Sequence, residues 1–96
     1  MKKEEIIRSL HHFKELNKER YQIIKLGFFG SAARGSLTEG SDIDVVVELT
    51  VPDMFMLIGI KQDLEERLHC PVDIVRYRDK MNAFLKRRID QEAVYV

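Results

Sequence analysis

A small, hydroxyl-bearing segment lies between two short apolar stretches, and it constrains this chain more than any other feature. It runs Gly30-Ser31-Ala32-Ala33-Arg34-Gly35-Ser36-Leu37-Thr38-Glu39-Gly40-Ser41 and leads directly into Asp42-Ile43-Asp44. The stretch before it, residues 23–29, is rich in β-formers and ends at the glycine, which predicts a strand. The stretch after it, residues 42–49, predicts a second strand. Side chains alternate along a strand, so Ile43, Val45 and Val47 share one face while Asp42 and Asp44 share the other. A turn of small residues suits a phosphate, and two carboxylates spaced by two suit a divalent cation.

The rest of the chain builds a frame for these strands. Ile6, Ile7, Leu10, Phe13 and Leu16 recur with the helical period among charges, so residues 3–20 are predicted as an amphipathic helix. Residues 31–35 read as a short helical turn with Ser31 near its N-terminus, and 36–41 as loop. Asp53 is placed to cap a helix running to about His69, with Leu57, Ile60, Leu64 and Leu68 as its stripe. Pro71 ends that connection before a third strand at residues 72–75. Asp79 is the expected cap of a last helix to about Gln91, using Met81, Phe84, Leu85 and Ile89, and residues 93–96 add a short strand. The fold class is therefore α/β (α+β): a small sheet with helices mainly on one face, leaving the other face open for a site.

Size and charge narrow the functions. Ninety-six residues make a single domain over 1–96, since a second core would be too small to persist. Sixteen basic residues balance sixteen acidic ones, so the chain lacks the basic excess of a general nucleic-acid binder. No apolar run approaches the roughly 20 residues needed to cross a bilayer, and the start Met1-Lys2-Lys3-Glu4-Glu5 has no signal-peptide core. A cytoplasmic setting is expected. Cys70 is the single cysteine, so neither an internal disulfide nor a zinc site beside His69 is expected. Adjacent His11 and His12 on a charged helix read as surface residues.

The chemistry follows from the residue types. Magnesium prefers oxygen ligands and is commonly held by a few carboxylates, waters and substrate phosphates. Asp73 lies in the apolar run Val72-Asp73-Ile74, where an aspartate is costly to bury unless it is paired or bound to metal. If its strand lies beside that of Asp42 and Asp44, three carboxylates converge, and a cation relieves their repulsion. Gly30 permits close approach of the backbone to a phosphate, Ser31 offers a hydroxyl, and Arg34 suits either triphosphate charge or a pair with a strand-end acid. The basic residues Arg76, Arg78, Lys80, Lys86, Arg87 and Arg88 form a solvated face that could also receive a triphosphate. Met54-Phe55-Met56-Leu57-Ile58 holds more apolar residues than one helix face can hide, which leaves a surface for a partner.

Gly30-Ser31, ten residues, then Asp42-Ile43-Asp44, with Arg34-Gly35 between and Asp73 beyond, resembles the polymerase-beta-like nucleotidyltransferase superfamily. Over roughly residues 20 to 96 the chain looks like its minimal nucleotidyltransferase branch. The resemblance implies that fold, built on a small mixed sheet. It implies that Asp42, Asp44 and Asp73 are catalytic and ligate Mg²⁺, as two ions, with Mn²⁺ able to substitute. Asp73 would also help deprotonate the acceptor hydroxyl. Gly30, Ser31, Arg34 and Ser41 would bind the nucleotide, and the activity would be transfer of AMP from ATP to a hydroxyl. Stand-alone members look like antitoxins of toxin–antitoxin modules, which implies a tyrosine on an all-helical HEPN-family toxin as acceptor. Two alternatives stay open: a non-catalytic module that neutralises a partner by contact, and a small-molecule (antibiotic) nucleotidyltransferase. Homo-oligomerisation is also open.

Overall fold

Residues 1–36, 40–51 and 53–96 are described by the computed structural model of the chain. Within them the strands are β1 (Ile23–Phe29), β2 (Ile43–Leu49), β3 (Val72–Arg76) and β4 (Val94–Tyr95). The helices are α1 (Lys3–Asn17), α2 (Ser31–Arg34), α3 (Met54–Leu68) and α4 (Ala83–Glu92). Of the expected loop at 36–41, residues 37–39 lie outside the described residues. The sheet order is β3-β2-β1-β4. β1 runs antiparallel to both β2 and β4, whereas β2 and β3 are parallel, so the sheet is mixed. A parallel pair cannot be closed by a hairpin, and α3 supplies the crossover.

Alternation along the strands divides the apolar residues between two cores. Leu26 and Phe28 of β1, Ile43, Val45 and Val47 of β2, and Val72 and Ile74 of β3 face one way. Against them lie Ile6, Leu10 and Phe13 of α1 and Ile60, Leu64 and Leu68 of α3. Phe29 and Val46 face the opposite way, where Ile89 of α4 covers them with Val75, Tyr77, Met81 and Leu85 around the contact. A register shift between Ile23 and Lys25 lets Ile23 join the first core although it is three residues from Leu26.

Helices thus lie mainly on one face, as expected, but the other face is not left open: α4 covers part of it. Several local expectations need correction. α1 stops at Asn17 and Leu16 is 61% exposed, because the apolar stripe outruns the sheet beneath it. Asp42 precedes β2 instead of opening it. The cap of α4 is Asn82, whose side chain accepts from the Leu85 N–H at 3.1 Å. Asp79 instead lies 3.7 Å from Lys86, and its side chain is almost wholly exposed. Phe84, expected in the stripe, is 83% exposed. Asp53 does cap α3, accepting from Phe55 N at 2.8 Å and Met56 N at 3.3 Å. None of the described helices is long and apolar enough to cross a membrane.

Leu64 is fully buried between α3 and the sheet. Leu64→Ala is expected to cost about 2–5 kcal/mol, the usual range for a core leucine replaced by a cavity. Urea denaturation checks this, read as a lower midpoint at unchanged slope.

Candidate active site

The acids gather because of the parallel strand pair. In its register Ile43 lies opposite Val72 and Asp44 opposite Asp73. Neighbouring strands are about 4.8 Å apart, so two carboxylates on one sheet face confront each other. Asp42, two residues before Asp44, stands at the same end, where the Ile43 N–H donates to Pro71 O at 3.0 Å and fixes the mouth of the pair. Asp42 and Asp73 are exposed and Asp44 is half-buried.

The turn comes to this same end from the other side, because β1 pairs with β2 through Phe29 opposite Asp44. Gly30 follows at once, with φ 72° and ψ −146°. A Cβ built there would run into Oδ2 of Asp44 and approach Nη2 of Arg88. The missing side chain is therefore what lets the acid, the turn and an arginine of α4 meet. Ser31 opens α2. Arg34 N donates to Gly30 O at 3.0 Å and Ser36 N to Ser31 O at 2.9 Å, which closes the helical turn on itself. Ser41, half-buried, precedes Asp42 at the entry to β2.

α4 adds two residues to this end of the sheet. Arg88 lies over the Phe29 ring, 5.7 Å from its centroid. Glu92 accepts from Gly30 N at 3.1 Å and from Nη1 of Arg34 at 3.0 and 3.1 Å, and Nε of Arg88 is 3.5 Å away. Arg34 thus makes an ion pair, but with the last residue of α4 and not with an acid at a strand end. Glu92 is a site residue that sequence reasoning missed. A weak signal existed, since an acid in the last turn opposes the helix dipole and requires a partner.

These charges act on Asp44. Burial pushes its carboxyl up from the ordinary value of 3.8. The Arg88 charge pulls it back, Asp73 and then Asp42 push it further up, and Arg34 pulls it down again. The outcome is a raised value: the fold holds Asp44 where its negative charge is unwelcome. All the donors are oxygens and they repel one another, which fits a hard cation. Among the described residues, however, no three histidine, cysteine, aspartate or glutamate side chains close into a ready-made metal cage. Such a donor set fits an ion that also takes oxygens from waters or from its ligand's phosphates.

Residues 10–96 match the family model described as a nucleotidyltransferase domain. The chain belongs to the nucleotidyltransferase domain family. It is an enzyme of that class, and the relatives agree. The protein adenylyltransferase MntA of Thermococcus cleftensis is 34% identical over 86 residues, covering 88% of this chain and 85% of its own. A solved structure provisionally named a minimal nucleotidyltransferase superposes with a TM-score of 0.82 at 28% identity, covering 98% of this chain and 95% of its own. A third likeness is to a complex of a tri-AMPylated Shewanella oneidensis HEPN toxin with its MNT antitoxin. There the TM-score is 0.62 at 20% identity, over 97% of this chain and 66% of that one, and the likeness is one of fold.

The raised Asp44 value gives a pH test of this nucleotidyltransferase. A carboxyl whose folded value lies above its unfolded value favours the folded state when protonated. Stability is then lost as pH rises through the interval between the two values. In chelator, Asp44→Asn is expected to melt above the wild type at pH 7, with the gap narrowing as pH falls through the carboxylate range. Thermal melts from pH 7 to pH 3.5 check this, and an Asn variant that melts lower at pH 7 would show that Asp44 is net stabilising.

Proposed function

We propose that this nucleotidyltransferase moves AMP from ATP to a hydroxyl of a protein partner and releases pyrophosphate, and that a tyrosine of a helical HEPN-family toxin is the acceptor. The observation that carries the reading is the facing of Asp44 and Asp73 across the parallel pair, with Asp42 and the Gly30-Ser31 turn at the same end. Support for a protein acceptor comes from the relative named a protein adenylyltransferase and from the AMPylated toxin in the structurally similar complex. That setting also fits a cytoplasmic protein acting as an antitoxin.

Asp42 and Asp44, with Asp73, would hold Mg²⁺, as two ions, or Mn²⁺ in its place. When bound, the metal would neutralise triphosphate charge and lower the cost of charge developing at phosphorus. Gly30 keeps side chains out of the phosphates' way, and Ser31 and Arg34 supply donors to them. Ser41 lines the entry. The acceptor hydroxyl oxygen forms a bond to the α-phosphorus as the bond from that phosphorus to the β-phosphate bridging oxygen breaks. Its proton passes to Asp73, which is exposed and so able to hand it on to water. Pyrophosphate leaves with the electron pair. Positioning of the acceptor supplies much of the rate in such transfers. A docked partner would provide it.

Two measurements test the reading. MgATP is expected to raise the melting temperature, and ATP with chelator to do so far less, because binding to the folded state alone stabilises it by mass action. Asp42→Ala with Asp44→Ala should abolish the metal-dependent part; its persistence would remove these acids from the site.

Co-expression with a HEPN-family partner should add to that partner multiples of about 329 Da, the mass of a transferred AMP group. Intact-mass spectrometry with wild-type and Asp42→Ala enzyme decides it. An unmodified partner that is still neutralised would replace transfer with inhibition by contact.

A further inference from the structure

Glu92 gathers donors from three parts of the chain. One carboxylate takes the backbone N–H of Gly30, Nη1 of Arg34 and, more loosely, Nε of Arg88. Its side chain is 26% exposed, so these contacts are partly shielded from water. We propose that Glu92 is a positioning residue for the triphosphate: it fixes the Gly30 turn and holds Arg34 so that the rest of the guanidinium faces the phosphates. This rests on the reading of the site as an ATP site, and goes beyond it by assigning a residue outside the acids and the turn.

The geometry supports holding over blocking. A guanidinium carries five N–H donors in a planar fork, and among the described residues the pair with Glu92 engages Nη1 alone. Nε and Nη2 remain to be offered elsewhere, and the Arg34 side chain is half exposed. Arg34 closes the short helix that starts directly after Gly30, the residue packed against Asp44, which puts the cation beside the turn.

The carboxylate also comes from a rigid support. Directly after Glu92 and Ala93, β4 pairs with β1 through Val94 opposite Phe28 and Tyr95 opposite Gly27. Gly30 lies two residues beyond Phe28, so main-chain hydrogen bonds fix the distance between Glu92 and the turn. An arginine left free loses much of its rotamer freedom when it closes on a ligand; one already clamped has little left to lose. Glu92 also separates two cations, Arg34 and Arg88, that would otherwise repel each other at the turn.

The test compares MgATP with AMP, which lacks the β- and γ-phosphates, by isothermal titration. Glu92→Ala and the isosteric Glu92→Gln are expected to weaken MgATP binding about tenfold, the size of one charge-assisted hydrogen bond, with AMP affinity changed less than about twofold. In an Arg34→Ala background, Glu92→Ala should add no further loss. A second readout needs no nucleotide. In arginine-selective ¹⁵N spectra, the Arg34 Nη–H signals should show slowed rotation in the wild type and averaging in Glu92→Gln, which preserves the size and shape of the side chain. Tighter MgATP binding in the variants would mean that Glu92 competes with the phosphates and would overturn the proposal. Equal losses for MgATP and AMP, additive losses with Arg34→Ala, or identical Arg34 spectra would do the same. A wild type that binds no MgATP at all would instead defeat the nucleotide reading, and this one with it.

Discussion

Everything at the working end of this protein depends on the parallel pairing of β2 with β3. A parallel neighbour can be reached only by a crossover, and α3 makes that crossover by burying Ile60, Leu64 and Leu68 against the sheet. The helix therefore does two things at once: it fills the main core, and it fixes the register that sets Asp73 beside Asp44. A slip of one residue would turn Asp73 to the core face and Val72 to the site. The charged end is thus specified by apolar packing on the opposite side of the sheet. Stability and chemistry share one alignment.

The same arrangement sets two demands against each other. Asp44 is held among other acids and partly out of water, and Arg88 and Arg34 only partly offset this. Residues chosen for folding alone would not be so placed, and sites commonly carry this kind of local cost. The cost is contained because the neighbouring β-strand positions, Ile43 and Val45, are fully buried and hold the backbone firmly.

Much of this was legible in the sequence. The apolar runs showed the strands, alternation set Asp44 on the face away from Ile43 and Val45, and the helical cap at Asp53 was a local hydrogen-bonding pattern. What was not legible depended on distance. Glu92 meets Gly30 across a separation of 62 residues, and no periodicity reports such a pair. The side of the sheet chosen by α4 is likewise a tertiary decision, since Ile89, Leu85 and Met81 would suit either face. Asp79 and Asn82 are both good caps three residues apart; where the helix settles on the sheet selects between them. Leu16 and Phe84 satisfied the helical period but lie beyond what the sheet can cover.

The edge of the sheet has a colloidal consequence. Among the described residues β4 pairs with β1 at Gly27 and Phe28, and Val96 N donates to Leu26 O at 2.9 Å, so β1 before Leu26 gains no strand partner on that side and Ile24 is 48% exposed. An uncovered strand is a template for another molecule's backbone, and with a formal net charge of zero the protein has little overall repulsion to keep copies apart. Local guards take over that duty. Lys25 stands on the open half with its ammonium 5.5 Å from the Tyr95 ring centroid, and the register shift beside it twists the strand out of line. On a protein without net charge, a local charge and a kink at the open edge oppose strand-to-strand pairing where overall repulsion does not.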